Sequence, residues 1–508
     1  MPSRSTRTRP IVLLIVVLAV ALTATIGNAE RTLVIAQPAG ANQLDPLNWG
    51  ASHAWSIVGN FVDALVKRDS AGGALVPHLA TGWEYLPGEE EDRWRFTLRE
   101  DVVFHNGERF DAESVRVTIE EFIDPETPGS SFSFLVPGTR GVEVIDEFTV
   151  DIITNANFYM FLPALEQIGM VPPVYYREVP RETFIRNPVG TGPYQVVNVE
   201  LGQTVEMVAN EQYWGGRPAF DRVVYRIIPE ASTRLAELRN GRVSIATDIP
   251  PGLIASVDAE AGVRIEAIPG WRVMFFKLRY DLAPTDNLAF RQAVNYAVDK
   301  QAISDFLFAG HAAPISQAAI EGFTGFNPDL EPYPYDPDRA RELIAESGYD
   351  GTTIVVEGPA ERFTIPHEVV ELVTGYLEAV GINARFELNE DGVYLQNVRD
   401  RTSGHLWYNG FANAAQDVER LLTFIVLSTS LWTYFDSPEI DAVIHELNRT
   451  VDIAERQRLG AEAMRLMHDD AGWLFMFQQP VVAAVADDID FSPHPFESYL
   501  AIDAKPRE

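Results

Sequence analysis

The chain has 508 residues, 46% hydrophobic and 11% aromatic, with 73 acidic against 40 basic side chains and a formal net charge of −33. Such a field repels nucleic acid and anionic membrane, so no nucleic-acid partner is expected. The absence of cysteine excludes a thiol nucleophile, a Cys-ligated metal and a lipid-modified N-terminal cysteine.

Residues 1–29 read as a cleavable signal peptide. Arg4, Arg7 and Arg9 form a basic start, Ile11–Leu22 an apolar core, and Gly27-Asn28-Ala29 a small-x-small cleavage site. The apolar run is short of the roughly 20 residues a spanning helix needs. The chain beyond the leader, about 480 residues, exceeds one core and implies two or more domains. The mature chain is therefore expected to be soluble and exported, free in the periplasm.

Thr32–Ala36 reads as a buried strand that ends in the loop Gln37–Pro46. Asn60–Lys67 carries helical and then strand-like spacing, and Pro77, Gly82 and Trp83 make Leu75–Glu84 turn and edge structure. Arg93–Arg99 alternates as a half-buried strand. Asn106-Gly107 is a turn, Asp111 caps a helix over Ala112–Phe122, and Val142–Ile145 pairs with Thr149–Ile153 as a hairpin. Two glycines and two prolines in Pro188–Tyr194 make a tight turn into the strand Gln195–Val199, and Gln203–Val208 is a second strand. A phosphate loop would need Gly-Lys-Ser/Thr opening a helix, and neither is present.

Further on, Tyr225–Ile228 and Val243–Ala246 read as strands around a helix over Ser232–Arg239. Asn287–Phe308 is the longest helical pattern, expected as one helix with Gly310 past its end. Asp336-Pro337 supplies a cap and first-turn proline for a helix reaching Glu346. Ile354–Val356, a helix over His367–Val380, and Ile382–Leu388 form a βαβ unit. Pro438–Leu447 and Ala454–His468 are helical, and Trp473–Phe477 and Val481–Val485 are returning strands. The class is α/β, with domains that are not simple consecutive blocks.

Enzymatic and metal signatures fail on spacing. His367-Glu368 and His445-Glu446 begin a zinc helix, but the second histidine is replaced by Glu371 and Arg449. No two of the nine histidines lie three to five residues apart. No Gly-x-Ser-x-Gly elbow occurs, and Gln195 breaks any Gly-x-Gly-x-x-Gly reading of Gly190 and Gly192. No catalysis, metal or cofactor is expected.

Pro188–Tyr194 followed by Asn210, Tyr213 and Trp214 resembles the "PvGTGPY…N..Yw" stretch of the large solute-binding proteins of ABC importers, the peptide/nickel-binding family 5. Leu79–Glu84, Phe96–Gly107, Asp111–Val115, Arg234–Gly241, Phe290–Lys300, Asp336–Leu343 and Leu377–Ile382 match further family motifs in order. The resemblance implies a two-lobed periplasmic-binding-protein fold (type II, large cluster C form). Lobe I would hold 30–269 and 479–508, with an extra subdomain at about 51–180, and lobe II 270–478. The crossings would fall near Ile268–Gly270 and Gln478–Pro480. It also implies a monomer that captures a small solute, an oligopeptide or related compound, and hands it to an ABC permease and ATPase complex. An opine, glycan or metal-chelate carrier stays open, as do an exported hydrolase and a chaperone.

Three segments are the pocket candidates that the resemblance supplies. The first is the loop Gln37–Asp45, with Asn42. The second is Arg362-Phe363, whose guanidinium suits a carboxylate. The third is Trp407-Tyr408-Asn409-Gly410-Phe411-Ala412-Asn413, running on to Asp417, whose aromatics could stack on a ligand and whose amides could hydrogen-bond it. In dipeptide binders of the family an aspartate anchors the ligand ammonium. Here Ala414 takes that place and Asp417 falls on a later aspartate.

Overall fold

The computed structural model describes residues 30–507 except 42, 50–51, 69–72, 125, 127–135, 137, 259 and 435. The leader expected over 1–29 and the candidate Asn42 lie outside the described residues. A ten-stranded sheet organises the rest. Its order is Ala384–Asn389, Ile354–Pro359, Leu406–Ala412, Val263–Leu278, Trp473–Ala486, Ile245–Thr247, Thr32–Gln37, Arg222–Ile227, Thr204–Ala209, Tyr194–Glu200. The α/β class and two-lobed architecture hold.

Parallel pairing is confined to two places in this sheet. Thr32–Gln37 runs parallel to both of its neighbours, Arg222–Ile227 and Ile245–Thr247. Ile354–Pro359 likewise runs parallel to both Ala384–Asn389 and Leu406–Ala412. Between these groups lie the two longest strands, Val263–Leu278 and Trp473–Ala486, antiparallel to each other and shared by both ends of the sheet. Their register shifts between Pro269, opposite Pro480, and Val273, opposite Gln478. Proline lacks the amide donor a ladder needs, so two facing prolines interrupt the pairing there. Gly270 sits in the interruption, where a Cβ would stand 2.4 Å from the Gln479 carbonyl oxygen.

The expected elements mostly form, with instructive exceptions. Asp111 accepts from the Ser114 amide at 3.1 Å and caps Ala112–Ile123. Asp336 caps Pro337–Ser347, which ends on Gly348 at φ 73°. The single helix expected over Asn287–Phe308 is two, Leu288–Ala297 and Lys300–Phe308. Val298 turns extended, and Asp299 accepts from the Ala302 amide at 2.9 Å, capping a fresh helix. The turn and edge structure expected over Leu75–Glu84 takes the form of two edge strands, Leu75–Pro77 and Ala80–Leu86. The two strands expected within 473–485 are one strand with the register shift inside it.

Glycines in Pro188–Tyr194 serve close approach. Neither Gly190 nor Gly192 takes positive φ. A Cβ on Gly190 would lie 1.9 Å from the Phe61 carbonyl oxygen, and one on Gly192 2.6 Å from the Phe61 carbonyl carbon. The turn packs backbone to backbone on Asn60–Phe61, with Gly192 and Tyr194 amides donating to Phe61 and Asn60 carbonyls, each at 3.0 Å. Buried Asp63 then gathers the spaced motif residues: the Thr191 hydroxyl donates at 2.9 Å, the Tyr213 hydroxyl at 3.0 Å and the Trp214 indole at 3.0 Å.

One separate core lies almost wholly within residues 47–171, where Trp94, Phe96, Phe104, Phe110, Val115, Phe122 and Ile152 pack under a four-stranded sheet. Others flank the ten-stranded sheet on its two halves, one around Ile35, Tyr194 and Tyr225 and one around Phe276, Phe290 and Tyr408. Among the described residues no helix is long and apolar enough to cross a membrane.

Candidate functional site

A parallel strand delivers the residues after its carboxyl end to the rim of the sheet, and ligand crevices in α/β folds open there. Four such ends converge in this chain. Pro38 follows Thr32–Gln37, Asp248 follows Ile245–Thr247, Arg362 and Phe363 come shortly after Ile354–Pro359, and Asp391 comes soon after Ala384–Asn389. All five residues line one cavity of about 530 Å³. His53, Ile249 and Pro250 complete one wall, Thr364 and Ile365 the other. Arg272, Gln479 and Pro480, from the shared long strands, lie between the walls together with Glu497.

The charges between the walls are tied to one another. Arg272 forks onto Glu497, Nε to Oε1 at 2.6 Å and Nη2 to Oε2 at 2.7 Å, and the Gln479 amide donates to Glu497 at 3.2 Å. On the first wall, buried Arg234 spends its guanidinium on the carbonyls of Ile228, Pro229, Thr247 and Asp248, at 2.7–3.0 Å. That clamp holds Asp248 in the left-handed region at φ 51°, a conformation rare outside glycine. The Thr247 hydroxyl donates to Asp248 Oδ2 at 2.6 Å, and His53 Nε2 lies 3.1 Å from the same oxygen. Burial alone would depress the His53 imidazole, but the Asp248 carboxylate outweighs it and holds the pKa above the ordinary value. Burial likewise pushes Asp248 up, and His53, Thr247 and Arg234 together bring it below the ordinary carboxylate range.

On the second wall, Arg362 is the more loosely held cation, 3.7 Å from Asp391 with its side chain 41% exposed. Phe363 lies between two guanidinium groups, Arg272 and Arg362, each 5.9 Å from its ring centroid. Tyr408 meets Phe363 edge-on at 5.6 Å, and its own hydroxyl is buried without a hydrogen-bond partner.

The run Trp407–Asn413 does not present one face. Successive strand residues point to opposite sides, and the pairing with Val263–Leu278 sorts them. Tyr408, opposite Phe276, faces the side of Phe363. Trp407 faces away, fully buried with Tyr394, Val398 and Tyr434, and with the Lys277 ammonium 4.9 Å from its ring. Asn409 is buried with its side-chain oxygen accepting from the Gly410 amide, and Phe411 packs on a core with Phe424 6.4 Å away. Asn413 donates to the Asp417 carbonyl at 2.8 Å. Asp417 itself is buried, caps Val418–Leu421, and takes Arg456 Nε at 2.9 Å. Of the candidates described, Arg362 and Phe363 line the cavity, Tyr408 backs it, and Trp407, Asn409, Phe411, Asn413 and Asp417 are not among its lining residues.

His53, Asp248, Arg272, Gln479 and Glu497 were missed as site residues. For Asp248 a signal existed: it stands two residues past the strand expected over Val243–Ala246, ahead of Pro250-Pro251. For the others, set on a helix start, the shared long strands or the C-terminal segment, local sequence carries none. Among the described residues no group of three His, Cys, Asp or Glu side chains could hold a metal ion.

Comparison with known proteins agrees with this architecture. The family described as bacterial extracellular solute-binding proteins, family 5 middle, matches residues 74–429. Heme-binding protein A of Haemophilus influenzae is 27% identical over 463 residues, covering 84% of this chain and 82% of that protein. Glutathione-binding protein GsiB of Pectobacterium atrosepticum is 25% identical over 472 residues, covering 90% of each. The ABC transporter-associated periplasmic binding protein DppA from Helicobacter pylori, solved in complex with the peptide STSA, superposes with a TM-score of 0.78 at 20% identity. That match covers 94% of this chain and 99% of that one. This chain belongs to the bacterial extracellular solute-binding proteins of family 5.

Proposed function

We propose that the protein is the periplasmic capture subunit of an ABC importer, exported by the leader at 1–29, which takes an oligopeptide or related small solute and performs no chemistry on it. The carrying observation is the cavity of about 530 Å³ lined from both ends of the ten-stranded sheet and bounded by its two shared strands. A crevice of that kind suits a ligand that draws two bodies together. In this reading lobe I comprises 30–269 and 479–508, with a subdomain at about 51–180, and lobe II comprises 270–478. The proline-facing interruption at Pro269–Val273 and Gln478–Pro480 is the hinge. The protein works as a monomer whose closed form is presented to a permease and its ATPase, and Arg362 receives a ligand carboxylate. The names of the relatives, glutathione-binding protein and a peptide complex among them, favour a peptide-like solute.

The test is capture without turnover. Mature protein mixed with a short-peptide digest should melt at a higher temperature, and mass spectrometry should recover the retained peptides intact. Cleaved product accumulating with time would refute the reading.

A further inference from the structure

Asp248 differs in its surroundings from the other acidic side chains of the cavity. Four carboxylates line it, from Asp248, Glu361, Asp391 and Glu497. Glu497 is occupied by the Arg272 fork and by Gln479. Asp391 faces Arg362, and Glu361, which precedes Arg362 in the chain, is exposed. Asp248 stands on the opposite wall. The Arg234 clamp holds its backbone at φ 51°, its side chain is 34% exposed, and its cationic side-chain neighbour at contact distance is the imidazole of His53. Arg234 directs its own hydrogen bonds to main-chain carbonyls, including that of Asp248, and so fixes the residue without covering its carboxylate. A strained backbone held by a buried arginine, with a carboxylate presented to a cavity, is a built receptor for a cation. An imidazole is a displaceable occupant, because it can lose its charge near neutral pH.

Taking the cavity as the ligand site, which rests on the function proposed above, we propose that Asp248 anchors a ligand ammonium. His53 covers the carboxylate when no ligand is bound, and the ligand class is zwitterionic: a primary ammonium at Asp248 and a carboxylate at Arg362 on the facing wall. Binding then exchanges one cation for another at the same oxygen. The groups facing the pair are Glu497 and Arg234 toward His53, and Thr247, Arg234 and Tyr499 toward Asp248. Arg234 is not free to replace His53, since its guanidinium is already held by main-chain carbonyls, and Glu497, an anion held by Arg272, favours charge on the imidazole. Protonated His53 competes with the ligand, so capture strengthens as pH rises until the imidazole is neutral, and it falls again where the peptide's own ammonium deprotonates, at about pH 8.

The probe is a tripeptide digest of casein in two forms, untreated and N-acetylated, presented to the full-length mature protein. Retained molecules are released by denaturation and weighed. The untreated digest is retained and the acetylated one is not. Asp248→Asn, which keeps the size and the Thr247 contact, lowers retention about tenfold to a hundredfold, the range for losing a hydrogen bond to a charged group. His53→Gln removes the competitor, so its retention no longer rises between pH 5.5 and 7 as the unaltered protein's does. Equal retention of acetylated and untreated digests, or an unchanged Asp248→Asn with native circular dichroism, overturns the ammonium anchor while leaving peptide capture intact. No retention of either digest by the unaltered protein overturns peptide capture itself, and the anchor with it. An Asp248→Asn that does not fold leaves the decision to the digest comparison and the His53→Gln profile.

Discussion

Arg456 shows how a single buried side chain can remove candidate ligand contacts. It is fully buried and holds Asp417 at 2.9 Å, Glu419 beside it, and the carbonyls of Leu447 and Thr450 at 3.1 and 2.7 Å. Both carboxylates nearest the missing anchor at Ala414 are thus committed inside the protein. Two acids share one guanidinium, and the cost appears in titration. Burial, with the Asp417 charge added, outweighs Arg456 and pushes Glu419 up to about 7. Burial also lifts Asp470 to about 7 and Asp503 to about 6. A carboxyl raised above its unfolded value binds its proton more tightly when folded. Its stabilising share is complete below the unfolded pKa and is lost as pH climbs through the folded one. The share of the unfolding free energy that these three carboxyls supply should therefore fall between about pH 4.5 and 7. The opposite trend comes from His78, His105, His405 and His494, which burial holds below the ordinary imidazole value. Glu419→Gln, which cannot ionise, should raise the urea midpoint at pH 7.5 relative to that at pH 5, compared with the unaltered protein. An unchanged difference between the two pH values would show that Glu419 does not change its protonation between them.

At the scale of elements, the position of a glycine decides whether a side chain is tolerated. Gly192→Ala drives a Cβ to 2.6 Å from the Phe61 carbonyl carbon and 2.8 Å from the Asn60 oxygen, both backbone atoms that cannot rotate away. Overpacking there should cost about 1–3 kcal/mol. Gly375, exposed in the helix Pro366–Ala379 with nothing within 4 Å of a built Cβ, offers the reverse case. Gly375→Ala should stabilise by about 0.5–1 kcal/mol through helix propensity. Chemical denaturation of the two variants checks the contrast, and equal effects would disprove it.

The same scale marks what the sequence could disclose. Helices with a capping aspartate and an apolar stripe were legible because cap and stripe are local, as at Asp111 and Asp336. Val263–Leu278 was not, since Pro269, Gly270 and several charges interrupt its apolar pattern. Its role comes only from having Trp473–Ala486 alongside, some two hundred residues later. Within the site, Arg362 and Phe363 were found through a motif. The tight packing of Trp407 and the Asp417–Arg456 contact depend on partners far away in sequence, which spacing cannot reveal. The alternation of Trp407 and Tyr408 was in principle readable, and a strand assignment over Leu406–Ala412 would have split that candidate run between two faces.

For the whole molecule, the proposed lobes touch again away from the crossing strands. Arg68 Nη2 donates to the Ala415 carbonyl at 3.0 Å. Arg456 lies 4.2 Å from the ring centroid of Tyr159 and 3.7 Å from the Met160 sulfur. Tyr159 and Met160 belong to the segment before Phe161–Ala164, on the core of residues 47–171, whereas Arg456 is rooted in the helix Ile453–Asp470. A ring laid over a desolvated guanidinium is worth about 2 kcal/mol. This contact exists only while the lobes are together, so it biases the closed state before any ligand arrives. Ligand affinity carries that bias, because a binder of the closed form is weakened by whatever fraction of molecules is open. Tyr159→Ala should then enlarge the ligand-free radius of gyration in small-angle X-ray scattering and weaken solute capture by up to about thirtyfold. The radius with saturating ligand should match the unaltered protein, since bound molecules still close. If the ligand-free radius and the affinity both stay put, the ring contributes nothing to closure.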